Sequence, residues 1–150
     1  IATGAAFLMS SLYGAGQANA QTSSMAGAQT ATSAVAPIAR NLTNAKQVET
    51  YLRREFADRP ILVEVARCES TFRQFDENGI VIRGKVNRGD VGVMQINEKY
   101  HGESADKLGH DIYSIEGNVA FAKHLFERFG TSPWSASSKC WSNSGALARK

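Results

Sequence analysis

No Asp, Glu, Lys or Arg occurs before Arg40 in this chain of 150 residues. Because the side chains that make a soluble surface all follow that point, we expect the folded domain to occupy residues 44–150, which is long enough to bury a core of its own. No run of Lys or Arg exceeds two residues, although the formal net charge is +3. The sequence therefore gives no indication of nucleic-acid binding.

Long apolar runs are also missing. The one apolar stretch before Arg40, at about residues 5–14, is too short and too polar to span a membrane. It is followed by Ala18-Asn19-Ala20, so residues 1–20 have the layout of a signal peptide with its cleavage site. The start is expected to be truncated, since Ile1 replaces Met and no positive region comes first. An Ala-rich disordered leader is the alternative.

Residues 21–43 lack apolar periodicity and are rich in Ala, Ser, Thr and Gln. Such a segment buries too little surface to offset the entropy lost on ordering. We therefore predict a disordered linker here.

Cysteine is scarce, with only Cys68 and Cys140. An even number of cysteines in a chain with a signal-like leader favours a disulfide and a secreted or periplasmic location. Two free buried thiols in a cytosolic protein are the alternative. No His or Cys pair has zinc spacing, and the three histidines are scattered, so neither a metal nor a cofactor is expected.

The apolar periodicity predicts an α+β domain that is mainly α. A first helix is expected from Asn44, as its cap, to about Ala57, with an apolar stripe at helical spacing. A second helix is expected from Ile61 to about Glu69, capped by Asp58 and with Pro60 in its first turn.

The next stretch is rich in turn residues, and residues 80–82 and 85–87 are short and partly β-branched. We predict that they form a small antiparallel ribbon. Further helices are expected at residues 105–108 (capped by Ser104 and ended by Gly109), from Ser114 to Gly130, and at residues 134–141.

Glu69 stands out because it ends an apolar helical face that includes Leu62, Val65 and Ala66. Burial and the negative end of a helix dipole both disfavour a charged carboxylate, and a carboxylic acid with a raised pKa can act as a general acid. The alternative is a frayed, solvated Glu at a helix end.

Three segments carry a resemblance to a known family: residues 68–72 (Cys-Glu-Ser-Thr-Phe), 91–97 (Val-Gly-Val-Met-Gln-Ile-Asn) and 116–120 (Glu-Gly-Asn-Val-Ala). In this order they resemble the lytic transglycosylase domain of the soluble murein transglycosylase type, within the lysozyme-like superfamily. The resemblance covers about residues 45–141. It implies a lysozyme-like fold, with a helical domain, a small β-hairpin lobe and a cleft that binds peptidoglycan glycan strands.

By position, the resemblance implies that Glu69 is the catalytic acid and base. Ser70 would orient the carboxylate or the substrate, and Met94 and Gln95 would line the cleft floor, although core packing is the alternative for Met94. Asn118 would be either a cleft residue or a structural residue at a helix start. The aromatic side chains predicted to contact substrate are Tyr100 and Trp141, although a core position is the alternative for Trp141.

The chain departs from the family in its last motif, which usually contains a Tyr near the acid. Residues 134–141 read Trp-Ser-Ala-Ser-Ser-Lys-Cys-Trp and contain no Tyr. What supports Glu69 from that side is therefore open at the level of sequence, with Trp141 and a Cys68–Cys140 bridge as the candidates.

The resemblance implies cleavage of the MurNAc-β-1,4-GlcNAc bond with formation of 1,6-anhydroMurNAc, without metal or water. A hydrolytic muramidase would use a second carboxylate, for which Asp90 is the best candidate. A non-catalytic wall-binding module on the same fold is the other alternative. We expect a monomer.

Overall fold

The computed structural model describes Leu42 and residues 44–144. The predicted signal peptide and, apart from Leu42, the predicted linker lie outside the described residues. Within them the protein is mainly α, with one small antiparallel sheet, as predicted. In chain order the elements are α1 (Ala45–Glu55), α2 (Ile61–Ser70), β1 (Asp90–Val91), β2 (Ile96–Asn97), α3 (Glu98–Lys107), α4 (Ile115–Phe129), a 3-10 helix (Ser132–Ser137) and α5 (Ser138–Trp141).

Helix α1 begins at the predicted cap. Oδ1 of Asn44 accepts a hydrogen bond from the backbone N–H of Gln47 at 2.9 Å, and Oε1 of Gln47 accepts one from the backbone N–H of Asn44, which is a capping box. The predicted apolar stripe is buried, and Phe56 closes the helix one residue before the expected end.

Helix α2 forms as predicted, but its cap differs. The carboxylate of Asp58 pairs with the neighbouring Arg59 instead of capping, and α2 has no side-chain cap. Pro60 takes the N-cap position with a helical φ of −61°, which suits a residue without an N–H to satisfy. At its other end, Thr71 and Phe72 both have a positive φ (52° and 60°), so the chain turns sharply two residues after Glu69.

The lobe between α2 and α3 pairs differently from the prediction. Val81 forms a β-bridge with Phe75, and Arg83 forms one with Val91, so the 80–83 segment does not pair with residues 85–87. The N–H of Gly84 donates to the carbonyl of Asp90, which leaves residues 85–88 as an exposed loop. The two-stranded sheet forms further on, where β1 pairs antiparallel with β2.

Helix α3 is longer than predicted because Asn97, not Ser104, is its cap. Oδ1 of Asn97 accepts from the N–H groups of Lys99 and Tyr100. Ala105 is its only buried residue, so the sequence carries little apolar periodicity there. The helix ends near Gly109, which has a φ of +73°, as the sequence predicted.

Ser114 caps α4 through a hydrogen bond from Gly117 N, and Gly130 follows its last residue, both as predicted. The final predicted helix consists of two pieces, the 3-10 helix and α5, which bury Trp134 and Trp141 respectively. These two elements pack against α2 and α4, so the C-terminal end of α2 lies beside the last two helical elements. None of the described helices has the length and apolarity needed to cross a membrane.

Candidate active site

Glu69 is the penultimate residue of α2 and is partly buried. Burial is the main cause that raises the pKa of its carboxyl, and the negative charge of Asp90 raises it further. A hydrogen bond from Ser137 opposes both effects, yet the net direction is upward. The protonated form of Glu69 is therefore more favoured in the folded protein than it is for a Glu side chain in water.

Ser137 is the polar partner of Glu69, and sequence reasoning did not single it out. Its hydroxyl donates to Oε1 of Glu69 at 2.6 Å across 68 positions of sequence. Ser137 lies within residues 134–141, the segment for which the sequence left the support of Glu69 open. The sequence offered no means of choosing Ser137 over Ser135 or Ser138, because only the turn of the 3-10 helix decides which hydroxyl faces α2.

The predicted disulfide is present. Cys68 and Cys140 are joined with a Cα–Cα distance of 6.0 Å, so the bond ties α5 to the residue that precedes Glu69. One covalent link and one hydrogen bond thus hold the C-terminal end of α2 against the last helical segments. They involve two adjacent residues of α2, Cys68 and Glu69.

The backbone carbonyl of Trp134 connects this corner to the core. It accepts from the hydroxyl of Ser137 at 3.1 Å and from Nε1 of Trp141 at 3.0 Å. The indole of Trp134 in turn donates to the carbonyl of Met94 at 2.9 Å. Trp141 is buried, which agrees with the alternative prediction of a core position. Its indole N–H makes its hydrogen bond inside the protein, to the carbonyl of Trp134.

Asn118 fastens the 91–97 segment to α4. Its Oδ1 accepts from Met94 N at 2.9 Å, and its Nδ2 donates to the carbonyls of Val91 at 3.1 Å and Ile112 at 2.7 Å. Asn118 and Met94 are both 0% exposed. Neither side chain therefore has a surface with which to contact a substrate, and both position the segment that carries Gln95.

A second buried amide, Gln74, holds the same segment from the other side and was also missed by sequence reasoning. Its Oε1 accepts from Val93 N at 2.7 Å and its Nε2 donates to the carbonyl of Tyr113 at 3.0 Å. Gly92 lies between the two amides with a φ of +73°, and a Cβ there would come within 2.5 Å of Nδ2 of Asn118. Glycine is required at this position because the amides approach its backbone so closely.

The other predicted contact residues fall in different environments. Ser70 is buried; its hydroxyl donates to Ala66 O within α2 and accepts from Arg73 N just beyond the helix, and it makes no hydrogen bond to Glu69. Gln95 is partly buried, and its Nε2 donates to the carbonyl of Gly92 at 2.8 Å. Tyr100 is 75% exposed on the first turn of α3.

Asp90, the predicted second carboxylate, lies on β1 and is partly buried. Its Oδ1 accepts from Nδ2 of Asn97 at 2.7 Å across the two-stranded sheet, which fixes its orientation. Its charge influences the pKa of Glu69, so the two carboxyl groups lie within electrostatic range of each other.

Two surface cavities border α1 rather than this corner of the protein. One is lined by residues of α1 together with Leu42, and the other extends from Leu42 to the loop of residues 72–79. Neither lining contains Glu69 or Ser137. The candidate site is therefore identified by the arrangement of its side chains.

The chain matches no protein-family profile, no curated protein sequence and no solved structure.

Proposed function

We propose that this protein is a peptidoglycan lytic transglycosylase that uses Glu69 as its single acid and base. The observation that carries the proposal is the state of the Glu69 carboxyl. It is partly buried, its pKa is raised, and one of its oxygens is held by Ser137 while the other accepts no hydrogen bond within the described chain. A carboxyl of this kind can hold a proton and release it to a substrate oxygen.

Two of the three segments of the family resemblance contact each other directly, and the segment that contains Glu69 is linked to them through Ser137 and Trp134. Residues 91–94 are bonded to Asn118 on α4, and Trp134 links Met94 to the element that carries Ser137. The acid ends α2, and the small β lobe follows it in the chain. This arrangement supports a lysozyme-like fold, in which a helical part and a β lobe flank a glycan strand. The disulfide supports an extracytoplasmic location, where the wall is.

In the proposed reaction, Glu69 protonates the oxygen that links MurNAc to GlcNAc, and the bond to C1 of MurNAc breaks. The N-acetyl group of the substrate stabilises the cation. Glu69, now a carboxylate, accepts the proton of the MurNAc C6 hydroxyl as the C6 oxygen bonds to C1. The product is 1,6-anhydroMurNAc, and Glu69 ends protonated as it began.

A hydrolytic muramidase is the second candidate, because Asp90 is oriented by Asn97 and its charge acts on Glu69. In that reaction a water molecule attacks C1, and Asp90 assists as the second carboxylate. The transglycosylase is preferred because the local support of Glu69 comes from the neutral hydroxyl of Ser137, and Asp90 has a structural partner of its own.

Mass spectrometry of digested peptidoglycan tests the proposal. The transglycosylase leaves anhydro ends, which are lighter by one water molecule than the reducing ends left by a hydrolase. Glu69→Gln should abolish cleavage, whereas the matched control Glu103→Gln, at an exposed position of α3, should cleave like the parent. Hydrated ends that are lost in Asp90→Asn would establish the muramidase instead.

Binding without cleavage is a separate outcome of the same experiment. If the parent protein and Glu69→Gln both sediment with insoluble peptidoglycan and neither releases fragments, the protein is a binding module. If the two proteins release fragments equally, Glu69 has no part in the chemistry.

A further inference from the structure

The Ser137 hydroxyl has two acceptors within reach. Its oxygen lies 2.6 Å from Oε1 of Glu69 and 3.1 Å from the carbonyl oxygen of Trp134. A serine hydroxyl carries one proton, so it donates to only one of them at a time. Rotation about the C–O bond is enough to change the acceptor, and no heavy atom has to move.

The preferred acceptor depends on the charge of Glu69. A carboxylate is a stronger acceptor than a backbone carbonyl, so the ionised form of Glu69 draws the hydroxyl proton to Oε1. When Glu69 is protonated its carbonyl oxygen is a weaker acceptor, and the carbonyl of Trp134 is available instead. The Trp134 carbonyl is fixed in place because it also accepts from Nε1 of Trp141 at 3.0 Å.

The contact also distinguishes the two oxygens of Glu69. Oε1 is occupied by Ser137, whereas Oε2 has no hydrogen-bond partner within residues 44–144. No fully buried side-chain oxygen or nitrogen in that part of the chain lacks a partner, so Oε2 is not fully buried among those residues. Oε2 is therefore the oxygen that can exchange a proton with a bound molecule.

We propose that Ser137 is a positioning residue whose hydroxyl turns between Oε1 of Glu69 and the Trp134 carbonyl during the reaction, and that it thereby assigns the transferred proton to Oε2. This inference rests on the proposed function and adds to it the group that replaces the family's Tyr. Ser137 touches neither the substrate nor the reacting atoms, and it acts only through Glu69.

The steps balance in protons. Before cleavage, Oε2 carries the proton and the Ser137 hydroxyl points to Trp134. When Oε2 gives its proton to the glycosidic oxygen, the hydroxyl turns to Oε1 and stabilises the new carboxylate. When Oε2 takes the proton from the C6 hydroxyl, the hydroxyl of Ser137 turns back. Ser137 keeps its own proton throughout.

A merely structural Ser137 would have different consequences. The bond to the Trp134 carbonyl lies within one helical turn, and removing it would affect the local stability of the 3-10 helix. It would leave the titration of Glu69 unchanged. The titration of Glu69 is therefore the readout that separates positioning from a structural role.

The test compares the parent, Ser137→Ala, Ser137→Thr and the control Ser135→Ala, which lies on the same 3-10 helix and is exposed. The carboxyl of Glu69 is titrated by carbon NMR in the free proteins, with Glu69→Gln to assign its signal. Ser137→Ala should raise the pKa of Glu69, because it removes the contact that lowers it, while Ser137→Thr and Ser135→Ala should titrate like the parent.

Kinetics on purified peptidoglycan complete the test. Ser137→Ala should lower kcat by about 10- to 100-fold with little change in KM, and the alkaline limb of its pH profile should move to higher pH. A Ser137→Ala protein with parental kcat and parental titration of Glu69 would overturn the inference. If that variant does not fold, Ser137→Gly, which also lacks the hydroxyl, is measured in its place.

The two proposals fail in different ways. A parent protein that cleaves no peptidoglycan would remove the proposed function, and with it the part of Ser137 in catalysis, whatever the titration shows. A parent that forms anhydro ends while Ser137→Ala matches it in both measurements would overturn the Ser137 inference alone.

Discussion

The disulfide between Cys68 and Cys140 closes a loop of chain that contains Glu69 and Ser137, which are hydrogen-bonded to each other. Cys68 directly precedes Glu69, and Cys140 follows shortly after Ser137. The ring that it closes spans a sequence separation of 72. The covalent link and the hydrogen bond therefore join the same two segments of chain, and the first limits how far the second can open.

Replacing Cys68 and Cys140 by Ser should lower the free energy of unfolding by about 4 kcal/mol, on the chain-entropy account of loop closure. Urea unfolding of the parent with and without reductant, beside the double variant, measures the effect. The reduced parent and the double variant should unfold at the same urea concentration. A double variant as stable as the oxidised parent would contradict the prediction.

Gly92→Ala should destabilise the protein by about 3 kcal/mol, since the new Cβ would combine a strained positive φ with overlap against Asn118 and Gln74. Thermal unfolding measures the change. Gly102→Ala is the matched control, because Gly102 lies in α3 with open space around it and Ala favours helix by about 0.5–1 kcal/mol. The two substitutions should therefore act in opposite directions.

Asn118→Ala should lower the free energy of unfolding by about 3 kcal/mol, because it leaves Met94 N and the carbonyls of Val91 and Ile112 without their buried partner. Urea denaturation gives the value. The control Asn143→Ala removes an exposed amide and should change stability by less than about 0.5 kcal/mol. Equal effects at the two positions would contradict the prediction that the buried hydrogen bonds of Asn118 stabilise the fold.

Glu69→Gln should make the folded protein more stable at pH 7. The pKa of Glu69 is raised by folding, so ionising it opposes folding, and this cost is present above the folded pKa. As the pH falls below the ordinary Glu value of about 4.3, both states are protonated and the cost disappears. Melting temperatures from pH 3 to pH 7 should therefore show a gain for Glu69→Gln that shrinks in acid.

That gain would mark Glu69 as a residue kept in spite of its effect on stability. Because Gln keeps an oxygen that can accept from Ser137, the substitution changes the charge and little else. Glu103→Gln, at an exposed position, should show no such pH-dependent gain.

Local sequence features predicted much of the fold. Asn44 and Ser114 cap helices as expected, because their side chains act on N–H groups within three residues. The disulfide followed from the number of cysteines and the signal-like leader. The errors occurred where the decisive partner is distant or the helix is hardly buried, as in α3, whose cap Asn97 is followed by a mostly exposed surface.

The candidate site shows the same division between residues predicted from local sequence and residues whose partners are distant. Glu69 was singled out by the apolar face that it ends together with the family resemblance. Ser137 and Gln74 could not be selected, because their partners lie 68 and 19 positions away. The motif residues Met94 and Asn118 were each predicted either to line a cleft or to be structural, and both are buried. A sequence motif identifies residues that act together. Only the packing of the folded protein distinguishes side chains able to contact a ligand from side chains that hold the others in place.

The exposed loop of residues 85–88 lies inside the disulfide ring, and it offers Lys85 and Arg88 to proteases, with a fully exposed Val86 between them. A single cut in this loop would not release either fragment, because Cys68 and Cys140 belong to different sides of the cut. Glu69 and Ser137 would remain in one covalent molecule. The disulfide thus makes the corner that holds Glu69 and Ser137 tolerant of a single cut in this loop.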